Sequence, residues 1–278
     1  MKKIILFNII LTSFIFANIK AVVSIAPMVS YLQAIGGDKV DITLMVEPKH
    51  SPHTYEPKPS QMVSVSKANL YFAIGVEFEK LWLGKFTSIN PNLKVIRVDN
   101  NITKRYIDTH HSQKAHKDPH IWTSLDNLQI IAKHMYQALR QQDPANKEYY
   151  EQNYQKFIQH IQDTKQQITT ILSNTPKGSK FMVFHPSWGY FADEFGLKQL
   201  AIEVAGKEPK FKEVIHIIQE AKRANVKAIF TQPEFSDKTS QVIASELHIP
   251  VIKVSPLSKD WEQTLIKIAK AIAKSSHR

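Results

Sequence analysis

Apolar residues recur along this chain in two alternating rhythms. Short apolar runs of four to six residues read as buried strands, and between them lie stretches whose apolar positions fall three and four apart, which read as amphipathic helices. In the first half, strands are expected at residues 20–25, 41–46, 69–74 and 93–98. A helix opens at Ala26-Pro27-Met28 and stops at Gly36-Gly37. Proline suits a first helical turn and glycine a helix end. Residues 59–62 start a short helix, and 78–86 read as another with Trp82 inward. This rhythm of strand and helix implies βαβ units and a parallel sheet.

Two long helices follow. Residues 124–140 place Leu128, Ile131, Ala132, Met135 and Leu139 on one face. From Asp143-Pro144 to about residue 173, Tyr150, Tyr154, Phe157, Ile161, Ile168 and Ile171 form a narrow apolar stripe on a glutamine-rich rod. About thirty residues at 1.5 Å each span roughly 45 Å, too long for a βαβ crossover. The rod reads as a rigid connector; a coiled-coil seam is the weaker reading, with only about three heptads and intervening threonines. Beyond Asn174-Thr175-Pro176 the α/β rhythm returns, with strands at 180–184, 200–204, 227–230 and 250–254 and helices at 187–195, 211–224, 237–247 and 261–273. The fold class is thus α/β: two parallel-sheet lobes joined by a long rigid helix. The expected division is 1–17 leader, 18–142 first lobe, 143–175 connecting helix and 176–278 second lobe.

The leader changes the picture of where the protein works. Lys2 and Lys3 precede a mostly apolar run from Ile4 to Ala17, the pattern of a secretory signal peptide. It is shorter than the ~20 residues that span a bilayer. Cleavage is expected after Ala17, although Ile15 is not the preferred small residue; an uncleaved anchor is the alternative. The sequence has no cysteine, so disulfides and a lipid-modified cysteine are both excluded from it. A soluble periplasmic protein is expected. Net charge is +11, but the basic residues are scattered with no arginine-rich, aromatic-interleaved patch. Nucleic-acid binding is therefore not expected, and an ordinary solvated lysine surface is favoured over attraction to an anionic membrane.

Candidate chemistry lies in the loops. Pro48, Pro52, Pro57 and Pro59 stiffen the segment after the second strand, and His53 sits within it. His120 is pinned by Pro119, and His185 follows a strand and precedes Pro186. In open α/β sheets, ligands bind at such strand-end loops. Three imidazoles from three rigid loops would suit Zn²⁺, with a fourth position left for a carboxylate or water. Spacing alone leaves open that all three make ordinary hydrogen bonds.

The segments Pro52-His53-Thr54-Tyr55-Glu56-Pro57-Lys58-Pro59, Asp118-Pro119-His120-Ile121-Trp122 and Phe184-His185-Pro186-Ser187-Trp188-Gly189-Tyr190-Phe191 add a second kind of signal. With residues 203–209 (EVAGKEP), 229–238 (IFTQPEFSDK) and Val254-Ser255-Pro256-Leu257, the chain resembles the cluster A-I solute-binding proteins, the capture subunits of bacterial zinc and manganese ABC importers. The resemblance runs in order over nearly all of the chain after the leader. It implies two lobes with one metal in the cleft between them, held by His53, His120 and His185. Glutamate at the third position is typical of manganese members and histidine of zinc members, so His185 favours zinc, in keeping with the preference of Zn²⁺ for imidazole.

The chain departs from that family at Ser255, where an aspartate often stands. Water or a nearby carboxylate is expected there instead; Glu234 is a candidate, though a loop-capping role fits it better. The short run from His110-His111 to His116 could gather metal weakly or be a plain solvated loop. His50 is a weaker candidate contact, and His134, His160, His216 and His248 read as structural, with His277 in the tail. Trp122, Trp188 and Tyr190 are expected to shield the site. The resemblance implies capture of Zn²⁺ and delivery to an inner-membrane ABC permease with its cytoplasmic ATPase, by a monomer. The alternatives are a manganese or other divalent-metal carrier of the same class, a zinc hydrolase, for which no general base is evident, and an adhesin.

Overall fold

The computed structural model describes residues 18–107, 116–204 and 206–276. The leader expected at 1–17, His110, His111 and His277 lie outside the described residues. Among the described residues, no helix is long and apolar enough to cross a membrane.

Two four-stranded parallel sheets carry the fold. The first comprises β1 (Ile19–Val23), β2 (Val40–Leu44), β3 (Leu70–Ala73) and β4 (Lys94–Arg97) in the order β2-β1-β3-β4. The second comprises β5 (Lys180–Val183), β6 (Lys198–Ala201), β7 (Ile229–Thr231) and β8 (Val251–Lys253) in the order β6-β5-β7-β8. The two orders are the same once the strands are counted within each lobe. β3 and β7 are buried along their whole length, as parallel strands covered on both faces must be.

The covering helices are α1 (Ala26–Gly36), α2 (Pro59–Ser66), α3 (Glu77–Ile89) and α4 (Leu125–Gln142) in the first lobe, and α6 (Gly189–Glu194), α7 (Phe211–Arg223), α8 (Lys238–Leu247) and α9 (Trp261–Ser276) in the second. Between them runs α5 (Lys147–Ile171), 25 residues or about 37 Å long. The helix begins later than the Asp143-Pro144 signal suggests. Pro144–Asn146 forms a separate 3₁₀ turn, and Asp143 accepts hydrogen bonds from Asn146 Nδ2 at 2.6 Å and the Tyr150 hydroxyl at 2.8 Å.

The apolar stripe of α5 is occupied within the chain. Tyr150, Phe157, Ile161 and Ile168 are buried, with α1, α4 and α9 packed around them. Tyr31 of α1, Phe157 of α5 and Trp261 of α9 form a three-ring knot, with centroids 6.0, 6.0 and 6.1 Å apart. One apolar cluster runs unbroken from the first sheet through α5 to α9 and to Phe181, Trp188 and Phe191 of the second lobe. A smaller cluster, including Ile217, Ala221 and Ile243, lies under α7 and α8. The lobes therefore share a core, and wide separation would expose it to water at about 25 cal/mol for each Å².

Candidate metal centre

The carboxyl ends of both sheets face one another, and the candidate side chains come from the loops there. His53 lies between β2 and α2, and His120 between β4 and α4. His185 follows β5 by two residues. The structure brings all three together. One ring nitrogen of each lies within 4.8 Å of those of the other two. His120 Nε2 and His185 Nε2 are 3.3 Å apart, and the His53 ring centroid is 6.2 Å from that of His120 and 5.3 Å from that of His185.

Each imidazole meets a carboxylate on its far side. His53 Nδ1 is 3.0 Å from Glu77 Oε2, His120 Nδ1 is 2.7 Å from Asp118 Oδ1, and His185 Nδ1 is 2.6 Å from Glu203 Oε2. A carboxylate accepts, so each Nδ1 carries the hydrogen, and in the neutral ring Nε2 keeps its lone pair. Three lone pairs then converge on one region, which repels unless a cation sits among them. Carboxylates placed this way also fix ring orientation and raise basicity toward a metal. The group could hold one divalent ion with three nitrogen ligands.

The supports are built into the strand ends. Glu79, buried in α3, accepts from the amides of Ile74 and Gly75 at 2.9 and 2.8 Å. That clamp fixes the turn from β3 into α3, where Gly75 takes φ +92° and Glu77 is aimed at His53. The regular strand β6 ends at Ala201, short of residue 204, but the Ile202 and Glu203 amides still donate to the Val183 and Phe184 carbonyls at 2.8 and 3.0 Å, which holds Glu203 where it reaches His185. Gln232, one residue past β7, donates to the His185 carbonyl and to Ser187 Oγ, both at 3.0 Å, and locks the third loop.

The three histidines differ in exposure. The side chain of His53 is 33% exposed, against 4% for His120 and 12% for His185. The hydrogen bond to Glu77 raises the pKa of His53, overcoming burial, which lowers it. Burial lowers that of His185 despite the Glu203 hydrogen bond. Burial would raise Asp118, but hydrogen bonding and charge from His120, with Arg105, outweigh it and hold that carboxyl low.

A cavity of about 20 Å³ adjoins the three rings, lined by Ser51, Pro52, Trp122, Gln232, Glu234 and Phe235 among others. Trp122 meets His120 edge-on at 5.3 Å, and Phe235 stacks on His185 at 4.9 Å. Trp188 packs in the core and is not among the lining residues. Tyr190 acts one step back, donating to the Asp118 carbonyl at 2.9 Å. His50 turns away to the Pro48 carbonyl and the edge of Tyr55. His134 faces the Val98 carbonyl, and His160 pairs with Glu262. His116, His216 and His248 are not part of the cluster. Sequence reasoning missed Glu77 and Gln232. Asp118 carried a signal in its two-residue spacing from His120, whereas Glu77 stands 24 residues from His53 and offered none.

The lobes are joined around this site. Trp122 Nε1 donates to the Pro256 carbonyl at 2.8 Å, and the Leu125 amide to Glu194 at 2.8 Å. Arg105 spans Asp118 at 3.2 Å and Asp193 at 2.7 Å.

Residues 21–275 match the family described as "Zinc-uptake complex component A periplasmic", ZnuA. The chain belongs to the ZnuA family. The crystal structure of a ZnuA superposes with a TM-score of 0.87 at 37% identity, covering 93% of this chain and 99% of that one. The high-affinity zinc uptake system protein ZnuA of Bacillus subtilis (strain 168) is 29% identical, over 83% of this chain and 76% of its own length. The manganese ABC transporter substrate-binding lipoprotein PsaA of Streptococcus anginosus is 26% identical, over 84% of this chain and 78% of its own. The protein is thus a substrate-binding component of a metal ABC transporter, with a divalent metal ion as its cargo. The family is a transport component and not an enzyme, which removes the hydrolase alternative.

Proposed function

We propose that this protein captures Zn²⁺ with His53, His120 and His185 and delivers it to an inner-membrane ABC permease driven by a cytoplasmic ATPase. It works in the periplasm after export on the leader that ends at Ala17. The observation that carries the reading is the convergence of three imidazoles, each with a carboxylate on its outward nitrogen. An all-nitrogen set suits Zn²⁺, while Mn²⁺ prefers more oxygen. The similarity to zinc-uptake proteins supports the same choice.

His53, the most exposed of the three, stands at the entrance. The ion meets it first and passes inward to the buried pair. Release follows movement of the proline-stiffened loop that bears His53, because the shared core resists wide parting of the lobes. One chain serves one ion, as a monomer.

Manganese is the second reading, favoured by the similarity to a manganese lipoprotein. Metal analysis of the protein purified from its native compartment decides between them. Zinc at one ion per chain supports the proposal, and manganese at full occupancy overturns it.

A further inference from the structure

Three histidines leave the fourth position of a tetrahedral ion open. Ser255, two residues past β8, stands where the related proteins often have an aspartate, and its hydroxyl does not point at the histidines for want of a partner. It donates to Glu234 Oε1 at 2.7 Å. Glu234 lies three residues past β7 and lines the cavity beside His53, His120 and His185. Its second oxygen, Oε2, is closed off from solvent and meets no donor among the described residues.

The other acids around the site each face an imidazole. Asp118 and Glu203 accept from the Nδ1–H of His120 and His185, and Glu77 Oε2, buried like Glu234 Oε2, has only His53 Nδ1 beside it at 3.0 Å. Glu234 alone among the cavity-lining residues offers a carboxylate. Leaving a buried carboxylate oxygen without a donor is costly, so the arrangement asks for one. The oxygens of Glu234 do not join the cluster of mutually close ligand atoms, which holds the three histidines only. Direct ligation would therefore need the side chain to leave Ser255 or the loop to shift. A water between the ion and Glu234 needs neither, and a space of about 20 Å³ accepts a water-sized body.

We propose that Glu234 accepts a hydrogen bond from a water molecule that fills the fourth position of the captured ion, and that Ser255 holds it in place to do so. The proposal rests on the three-histidine reading above and names the partner that completes it. A cation makes its bound water a stronger donor, so the carboxylate is matched to that water. Keeping Glu234 one water away leaves the protein ligands all nitrogen, which favours zinc over harder ions. It also leaves the cargo bonded to only three protein atoms, as suits an ion that must be handed on.

The test uses the mature protein with Zn²⁺ under chelator competition and Co²⁺ as an optical probe. Glu234→Gln, close in shape, is expected to weaken zinc binding about 10- to 100-fold, the usual effect of losing an outer partner of a metal site, while the Co²⁺ spectrum keeps its band positions and intensity. Ser255→Ala weakens binding less, and the double variant is no weaker than Glu234→Gln alone, because both changes act through one water. Unchanged zinc affinity in Glu234→Gln overturns the proposal. So does a Co²⁺ spectrum that reports loss of a protein oxygen from the ion, since that makes Glu234 a direct ligand. Should Glu234→Gln not fold, Ser255→Ala decides by itself: weakened binding supports the role, and unchanged binding contradicts it. His185→Ala, measured alongside, separates this from the underlying reading, for unchanged affinity there removes the three-histidine site.

Discussion

Asp118 joins the site to the lobe interface, so Asp118→Asn has two separable effects. The Asp118 side chain is fully buried. Oδ1 accepts from His120 Nδ1 at 2.7 Å and from the His120 amide at 3.0 Å, and Oδ2 accepts from Arg105 Nη1 at 3.2 Å. An asparagine in its place has the same shape but one acceptor oxygen. Turned toward His120, the amide keeps the imidazole contact and presents its NH₂ to Arg105, donor against donor. The loss is then one charge-assisted hydrogen bond, about 1.5–3 kcal/mol. The full 3–5 kcal/mol of a broken buried pair is not reached, because Arg105 keeps Asp193 at 2.7 Å. A loss of about 2 kcal/mol lowers Tm by about 4–8 °C for a chain of this size. Zinc affinity falls separately, about 10- to 100-fold, as the neutral amide holds and polarises His120 less well. Thermal melts of the metal-free protein and competitive zinc titrations read the two effects. A lower Tm with unchanged zinc affinity would refute the reasoning, leaving Asp118 an interface residue only.

Other consequences concern pH and packing. Zinc binding weakens as pH falls, and protonation of His53, whose pKa is raised by the hydrogen bond to Glu77, contributes to that loss. In the metal-free protein the His53–Glu77 pair contributes stability that is fully present below the unfolded histidine pKa, about 6.5, and is lost as pH rises through the raised folded value. The metal needs the neutral ring, so affinity moves the other way. Glu77→Gln is expected to shift the fall in affinity to lower pH; an identical pH profile in chelator competition would contradict this. Gly189→Ala sets a Cβ 1.9 Å from Arg105 Nη1 and 3.0 Å from Asp118 Oδ2. The guanidinium is held by two carboxylates and cannot swing clear freely. A destabilisation of about 1–3 kcal/mol is expected from such overpacking, and a melt matching the parent protein would show that Arg105 yields without cost.

The elements that set the architecture were legible because their signals are local. Pro27 and Gly37 bracket α1, and the spacing from Tyr150 to Ile168 marks the face of α5 that is buried. His53, His120 and His185 stood out through their flanking prolines. What the sequence could not show is what lies opposite each ring. Glu77 reaches His53 only because the loop after β2 passes the end of β1, which lies between β2 and β3, and meets the start of α3, where the Phe78 amide donates to the Pro52 carbonyl at 3.2 Å. Residues 202–204 alternate like a strand, yet the regular strand ends at Ala201, and no periodicity shows that Glu203, bonded through its amide to the Phe184 carbonyl, is aimed at His185. Ser255 was visible as a departure from the related proteins. Its bond to Glu234, 21 residues away, depends on β7 and β8 being neighbours in the sheet.

Chelator competition for the purified mature protein, with Zn²⁺ and Mn²⁺ titrated side by side and repeated in a His53→Ala, His120→Ala, His185→Ala triple variant, tests the central claim most directly. The account predicts one Zn²⁺ per chain, bound in clear preference to Mn²⁺, and no tight binding in the triple variant. Preference for Mn²⁺, or zinc affinity that survives loss of all three histidines, would contradict it.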